Sequence, residues 1–191
     1  QATLGAILLV TPLIVLSKID SPSGNYSLEK THGYISLSYS HMGFSTPQVG
    51  FKDFDVKLKL DSNNIEQSSI NVSIDPKSID SRVEEFNEHL NGARFFDTKN
   101  HGEINFTSTK ITLSENDRAS IIGNLTIKGI TKEVSMKATL NKEGQHPIRK
   151  KQTLGVNATA KVNRSDWGLG YAVPMVSDEV NILISVELIK D

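Results

Sequence analysis

Cysteine is absent from this chain of 191 residues. A chain without cysteine forms no disulfide, has no thiolate nucleophile and cannot build a cysteine-ligated zinc or iron–sulfur centre. The charges also nearly cancel, with 21 Lys and Arg against 22 Asp and Glu and a formal net charge of -1. Nucleic-acid-binding surfaces concentrate positive charge, and the one basic cluster, residues 149–151, is typical of a solvated turn. We therefore expect no nucleic-acid partner.

The usual motifs of catalysis and metal binding are missing as well. The sequence contains no Gly-x-Ser-x-Gly nucleophile elbow and no Gly-rich loop that could hold a phosphate. Its five histidines show neither His-x-His nor zincin spacing. His32 and His41 could approach each other only through the fold. We expect no catalytic residue, no metal site and no cofactor, and thus a protein that is not an enzyme.

Residues 4–16 form the one long apolar run. As a helix this run is too short to cross a bilayer core of roughly 30 Å, but it matches the apolar region of a secretory signal peptide. A buried strand, or a helix packed on the domain, is the alternative. We predict a signal-peptide remnant over residues 1–17, a linker over 18–25 and one domain over 26–191. The expected location is periplasmic or secreted, with no stable membrane span in the mature chain.

Apolar and polar residues alternate along most of the remaining chain. In residues 120–140, Ile121, Leu125 and Ile127 share one strand face, and Val134 and Met136 follow after a turn over 129–132. Period-two alternation predicts strands with one buried face. Including the two strands of this hairpin, we predict about eight substantial strands; the others cover residues 34–41, 51–60, 68–75, 103–113, 153–163 and 180–188, and a short first strand covers 26–28.

One segment departs from this period. From residue 78 to residue 97 the apolar positions are spaced by about three and four, which predicts a helix. Asp80 or Ser81 could cap its start, and Gly92 would end it. The sequence therefore predicts one helical excursion around residues 78–92.

Antiparallel strands with one apolar face either close into a barrel or stack as two sheets. An eight-stranded barrel has room for side chains or one small ligand. The small inward residues Gly123, Ala138, Ala158 and Ala160 predict a cavity in such a barrel, although they would also suit a tightly packed sandwich. The run of residues 164–168 is interpreted as a corner, in which Arg164 pairs with Asp166 and Trp167 covers one end.

Several segments carry a more specific pattern. The hairpin reads Gly123-Asn-Leu-Thr-Ile-Lys-Gly-Ile-Thr-Lys-Glu-Val, and the other segments are residues 32–37 with His41, 50–54, 89–97, 104–108, 163–169 and 178–182. In content and order they resemble the YceI-like, polyisoprenoid-binding family. The resemblance implies an all-β fold, an extended eight-stranded antiparallel lipocalin-like β-barrel with a helix. It also implies an exported bacterial protein that holds a long isoprenoid, quinone or fatty-amide chain inside the barrel. A homodimer is a further expectation.

We expect the inward apolar residues to line a tunnel for this chain. They are Leu37, Tyr39, Phe54, Phe86, Leu90, Phe95, Phe96, Phe106, Leu125, Met136 and Trp167. His32 and His41 are expected at the barrel mouth, where either could bond a ligand headgroup or a backbone group. A buried methylene contributes about 0.8 kcal/mol, and a headgroup hydrogen bond contributes about 1 kcal/mol. The tail should therefore dominate the affinity.

A second hypothesis remains open. The same residues could form a packed core, and the protein would then be a periplasmic interaction or stress-response module without a bound lipid. Its binding surface would lie on the loops over residues 142–152 or 164–178. A hydrolase or isomerase is a third hypothesis, and it would require His and carboxylate groups that converge in the cavity.

Overall fold

The structure is a computed structural model that describes residues 19–114 and 117–191. The signal peptide predicted over residues 1–17 lies outside the described residues. The described part of the expected linker packs against the barrel, because the backbone N–H groups of Asp20 and Ser21 donate to the Glu143 carboxylate at 3.0 and 2.7 Å. The first strand begins at Gly24, inside the span that the sequence predicted as linker.

Strands dominate the described chain. They are β1 (Gly24–Leu28), β2 (Tyr34–Ser38), β3 (Gln48–Phe51), β4 (Phe54–Leu60), β5 (Ser69–Ile74), β6 (Ile79–Asp80), β7 (Ile104–Ser114), β8 (Arg118–Ile127), β9 (Ile130–Gln145), β10 (Gln152–Asn163) and β11 (Glu179–Lys190). The helix α1 covers Glu84–Asn91, and short 3-10 helices occupy Lys30–His32, Ile65–Gln67, Pro76–Ser78 and Arg164–Trp167. Within the described residues no helix is long and apolar enough to cross a membrane.

Three strands of the barrel are interrupted at one level. The breaks separate β1 from β2, β3 from β4 and β5 from β6. The backbone bridges the last two breaks, because Lys52 N–H donates to the Ser78 carbonyl at 3.1 Å and Asp75 N–H donates to the Asp53 carbonyl at 3.0 Å. Each pair of segments therefore acts as one bent strand.

The last strand closes the barrel. The N-terminal part of β11 pairs with β2, with Asn181 opposite Ser38, and its C-terminal part pairs with β1, with Lys190 opposite Tyr26. All neighbouring strands are antiparallel, in the order β1-β4-β5-β7-β8-β9-β10-β11 and back to β1, with β2, β3 and β6 continuing beyond the breaks. The result is the predicted closed eight-stranded barrel with one helix, and a two-sheet sandwich is excluded.

The helix is shorter than its sequence period indicates. Ile79 pairs with Phe51 as part of β6, and Val83 is an exposed N-cap residue. Asp80 accepts a bond from Arg82 N–H instead of capping the helix. Backbone pairing with β3 therefore makes this segment a strand, although the spacing of its apolar residues predicted a helix. Because β6 ends after two residues, α1 and the segment that follows it fill the opening between β6 and β7.

The central hairpin is tighter and longer than predicted. Its turn consists of Lys128 and Gly129, with φ of 50° and 74°, the geometry that matches the twist of paired strands. β9 then continues to Gln145, so the loop predicted over residues 142–152 shrinks to 146–151. Lys128 adopts the left-handed conformation although it is not glycine, so the alternation of apolar residues could not predict this turn.

The barrel interior is filled unevenly. Near the end where β1 begins, large side chains pack tightly, including Tyr26, Leu60, Ile111, Leu154 and Leu188; we call this end the packed half. The small inward residues mostly leave no space. A Cβ added at Gly123 would lie 2.4 Å from the Phe106 ring, and Ala138 and Ala158 belong to the packed core. Only Ala160 of this set borders the cavity described below. The sequence therefore predicted a cavity from four small residues, and three of them do not contribute to it.

The contact at Gly123 generates a first prediction. Gly123→Ala should lower the free energy of unfolding by about 1–3 kcal/mol, because overpacking displaces the Phe106 ring and the backbone beside it. Gly102→Ala is the matched control, since a Cβ there meets nothing within 4 Å. Urea unfolding of both variants measures the difference. Equal stability of the two variants would contradict the proposed close approach.

Candidate ligand-binding cavity

The other half of the barrel is hollow. A cavity of about 550 Å³ lies beyond the strand breaks, between the barrel wall and α1. Its floor and walls are formed by side chains of nine strands, among them Ile35, Val49, Phe106, Leu125, Val134, Met136, Ala160, Val162, Ile182 and Ile184. Among the described residues that line it, Arg164 is the one with a permanent charge, and no carboxylate borders it. The cavity is therefore an apolar chamber.

The segment that follows α1 forms one side of this chamber. Phe96 N–H donates to the Leu90 carbonyl at 3.0 Å, and Asp97 N–H donates to the Gly92 carbonyl at 3.0 Å. Asp97 has a φ of 48°, so the chain reverses sharply here. This turn brings Phe95 and Phe96 against the cavity, and the Phe96 ring meets Phe51 edge-on at 5.7 Å.

Trp167 closes another side. It is 1% exposed, and its indole N–H donates to the Leu125 carbonyl at 3.1 Å. The 3-10 helix Arg164–Trp167 ends at Gly168, whose φ is 72°. The sequence predicted that Trp167 covers one end of the barrel, and the structure places its ring buried against β8 at the cavity.

Arg164 organises the loop that follows this corner. Its guanidinium donates to the carbonyls of Leu169, Tyr171, Val176 and Ser177, with distances of 2.9 Å to Tyr171, 3.0 Å to Val176 and 2.9 Å to Ser177. Burial lowers the pKa of the Arg164 guanidinium from its usual range.

The acid whose charge acts on this arginine differs from the prediction. Asp178, not Asp166, supports the charge of Arg164. Asp178 also accepts bonds from Ser165 N–H at 2.8 Å and from the Ser165 hydroxyl at 2.6 Å. The predicted local pair is wrong because the loop over 168–177 returns to the corner and brings Asp178 beside it.

An aromatic cluster lies at the mouth of the cavity. The His89 ring meets Phe95 at 5.0 Å, Phe95 meets Tyr171 at 5.7 Å, and the Arg94 guanidinium lies 4.9 Å from the Tyr171 ring centre. The Arg94 guanidinium also donates to the Tyr171 hydroxyl at 3.2 Å. His41 borders the mouth from the loop after β2. Polar groups are thus concentrated at the mouth, and apolar groups line the depth.

Tyr39 adds a hydroxyl to the cavity wall. Burial raises the pKa of Tyr39 above its usual range, and the nearby Arg164 partly opposes this effect. The phenol therefore stays neutral at physiological pH and can both donate and accept a hydrogen bond.

The structure brings together all of the residues that the sequence predicted for the tunnel and its mouth except two. Phe54 is buried beside Leu28, next to Gly33, because the break before β4 starts that strand in the packed half. His32 lies in the 3-10 helix after β1 and bonds Glu29. Sequence reasoning missed Val49, Phe51, Arg164, Leu169 and Tyr171 as lining residues. Of these, the apolar residues of β3 were visible in the alternation, whereas the loop residues gave no periodic signal.

The fold agrees with the comparisons to known proteins. The model of the YceI-like domain family matches residues 26–188. A UPF0312 protein of Pseudomonas putida strain W619 is 34% identical over 192 residues, covering 100% of this chain and 98% of that protein. Protein YceI of Salmonella arizonae is 33% identical over 187 residues, covering 97% of this chain and 93% of that protein. This chain belongs to the YceI-like domain family.

Solved structures support the same fold. A Campylobacter jejuni YceI protein has a TM-score of 0.72 and 25% identity, covering 80% of this chain and 90% of that chain. Burkholderia cenocepacia BcnA has a TM-score of 0.76 and 23% identity, covering 84% and 98%. A polyisoprenoid binding domain from Saccharophagus degradans has a TM-score of 0.67 and 12% identity, covering 87% and 98%.

One further ionisable cluster of this YceI-like protein lies away from the cavity. Ligand atoms of Glu29, His32 and Glu187 lie within 4.8 Å of one another. The Glu29 carboxylate already accepts bonds from the Thr31 hydroxyl at 2.6 Å, from the His32 ring at 2.7 Å, and from the Arg149 guanidinium. These donors balance its charge without a metal ion. We interpret the cluster as an anchor that holds the loop over residues 146–151 to the end of β1.

The carbonyl contacts of Arg164 lead to a second prediction. Arg164→Met keeps a long side chain but removes every donor, so buried carbonyls lose their partners at a cost of about 1–3 kcal/mol. Urea unfolding should report this loss, and hydrogen exchange of the amides in residues 168–177 should accelerate. Arg118→Met, at an exposed strand end, serves as the control. Unchanged exchange in that loop would contradict the organising role of Arg164.

The anchor at Glu29 leads to a third prediction. The Thr31 hydroxyl first, and then His32 and Arg149, lower the pKa of Glu29 against the opposing effect of burial. Since the unfolded state then binds a proton at higher pH than the folded state, this contribution to stability is present above the unfolded pKa and is lost as the pH falls through the folded pKa.

Glu29→Gln should therefore be less stable than the parent protein near pH 7, and the difference should shrink on acidification. Thermal unfolding measured across the acid range checks this, with the exposed Glu103→Gln as the control. A constant difference at every pH would contradict the assignment.

Proposed function

We propose that this YceI-like protein binds one long isoprenoid, prenyl-quinone or fatty-amide chain in the hollow half of its barrel, with the headgroup at the mouth. The observation that carries the proposal is the apolar chamber itself, which opens at a mouth lined by His41, His89 and Tyr171. Such a wall repels charged metabolites and favours hydrocarbon. The polar groups at the mouth can orient a headgroup without supplying most of the affinity.

The size of the cavity fits a chain of intermediate length. A water molecule takes a share of roughly 30 Å³ in the liquid, and a methylene group is of similar size. A cavity of about 550 Å³ therefore holds on the order of 18 carbon atoms. At about 0.8 kcal/mol per methylene, burial would contribute on the order of 14 kcal/mol before the cost of association. A longer prenyl chain must either fold back or extend out of the mouth.

The lining favours a binding protein over an enzyme. General acid–base catalysis requires titratable groups at the reacting atoms. The described wall offers two imidazoles at the mouth and no carboxylate, while the donors of Arg164 already bind carbonyls. Sequestration or transport of the lipid is thus the better-supported activity.

The interaction module with a filled barrel is the second candidate. The hollow half argues against it, because a core that only stabilised the fold would be packed as tightly as the other half. The family, and the polyisoprenoid binding domain among its structural neighbours, favour the lipid ligand too. We further propose that the protein is exported to the periplasm or secreted, on the basis of the apolar run at residues 4–16, and that it can form a homodimer.

Native mass spectrometry tests the proposed ligand. The protein should be exported from a bacterial host, purified without detergent, and analysed before and after organic extraction. We expect a discrete added mass that reappears in the extract as a prenyl or acyl lipid. A bare protein mass that stays unchanged after incubation with ubiquinone would contradict the proposal.

A cavity-filling variant provides the fourth prediction. Ala160 borders the cavity and neighbours the exposed Thr159 on the same strand. Ala160→Phe should fold and lose most of the bound lipid, because its ring takes the space of the tail. Thr159→Phe, whose ring points outward, should retain the parental load. If both variants carry equal lipid in native mass spectra, the chamber is not the binding site.

A further inference from the structure

Two loops at the cavity mouth expose apolar side chains together. We call residues 39–47 and 168–177 the mouth loops. Phe44 is 90% exposed, Met175 64% and Met42 51%, and Tyr171 and Val173 are exposed beside them. Contiguous apolar surface of this kind usually marks a site of interaction with a protein or a membrane.

The backbone holds the two loops side by side. Met42 N–H donates to the Met175 carbonyl at 3.0 Å, and Ser177 N–H donates to the Ser40 carbonyl at 2.9 Å. Arg164 fixes the second loop from inside the barrel. The exposed residues are therefore presented on a braced edge, which we call the lip.

The lip is continuous with the cavity. Met42, Tyr171 and Met175 border the cavity and are also exposed to solvent. An apolar path thus leads from the chamber, past the polar groups of the mouth, to the outer surface along these side chains. A lipid tail that follows this path into water would lose the benefit of burial at every methylene, whereas a tail that passes into a bilayer would not.

The absence of charged residues from the mouth loops favours a lipid bilayer as the partner of the lip. Although 23% of the chain is Asp, Glu, Lys or Arg, neither mouth loop contains any such residue. Aromatic and apolar residues without charge suit the interface of a bilayer, and an exposed cation, Arg94, packs on Tyr171 at the edge of the lip.

We propose that the lip docks onto a lipid bilayer, inserting Phe44 and Met175 into the interface so that the ligand tail moves between bilayer and cavity. This inference rests on the proposed lipid-binding function. It assigns a role to the exposed Phe44, which belongs neither to the packed core nor to the cavity lining.

Vesicle flotation tests the docking directly. Protein is mixed with zwitterionic phosphatidylcholine vesicles, and the fraction that floats is compared for the parent protein and the double variant Phe44→Ser/Met175→Ser. We expect each removed side chain to weaken binding by about tenfold or more, because burying such a side chain contributes more than the free energy of a tenfold change. Raising the salt concentration should have little effect, since the lip carries no charge.

Ile148→Ser is the matched control, because Ile148 is 84% exposed on the loop after β9, outside the lip. It should float like the parent protein. Failure of the parent protein to float, equal flotation of the double variant, or binding that disappears with added salt would each overturn the proposal. A dimer of the lipid-free protein that the double variant abolishes would overturn it as well, by assigning the lip to a second copy.

Ligand loading separates this proposal from the one on which it rests. Ubiquinone is supplied either within the vesicles or dispersed in detergent, and uptake is followed by native mass spectrometry. The single variant Phe44→Ser, which leaves every cavity-lining residue unchanged, should load at the parental rate from detergent and more slowly from vesicles. Equal rates from vesicles would contradict the docking role, whereas no uptake by either route would refute the lipid-binding function while flotation still reports on the lip.

Discussion

The closure made by β11 is the constraint on which the rest of the molecule depends. One half of this strand pairs with β1 and the other with β2, so a single strand spans the level at which three others bend. Without it the sheet would have two long edges and no interior. With it, the strand breaks become tolerable, because β7 to β11 remain continuous across that level.

The same breaks divide the barrel into a half that stabilises the fold and a half that holds the cavity. On one side, large residues such as Tyr26, Leu154 and Leu188 are almost fully buried, and burial of this kind supplies most of the folding free energy. On the other side, β6 ends after two residues, and a short helix replaces the missing ladder. A helix of eight residues is not stable by itself, so α1 depends on Leu90 and the following phenylalanines, which also border the chamber.

The alternation of apolar residues was sufficient to predict an all-β fold and most of its strands, because period two directly reports which face is buried. The closed barrel was implied by the family resemblance, since the alternation also allowed a two-sheet sandwich. The alternation could not predict the uneven filling. Ala138 and Ala158 look like Ala160 in the sequence, yet neither of them borders the cavity, and Phe106 occupies the space beside Gly123. The sequence also suggested that Ile79 belongs to the helix and that Arg164 forms an ion pair with Asp166. Both predictions were wrong because strand pairing and a returning loop depend on residues far away in the chain.

Arg164 shows how a buried charge can leave a cavity apolar. Its donors bind carbonyls of the loop that forms the mouth, and an arginine whose donors are so engaged offers little to a ligand anion. Desolvation makes this charge costly, but Asp178 and the carbonyls offset the cost. The charge thus fixes the shape of the entrance rather than the chemistry of the interior. A ligand inside then contacts a neutral wall, and its selection depends on length and shape. Because the packed half supports the fold separately, residues of that wall can change without removing the core that stabilises the barrel.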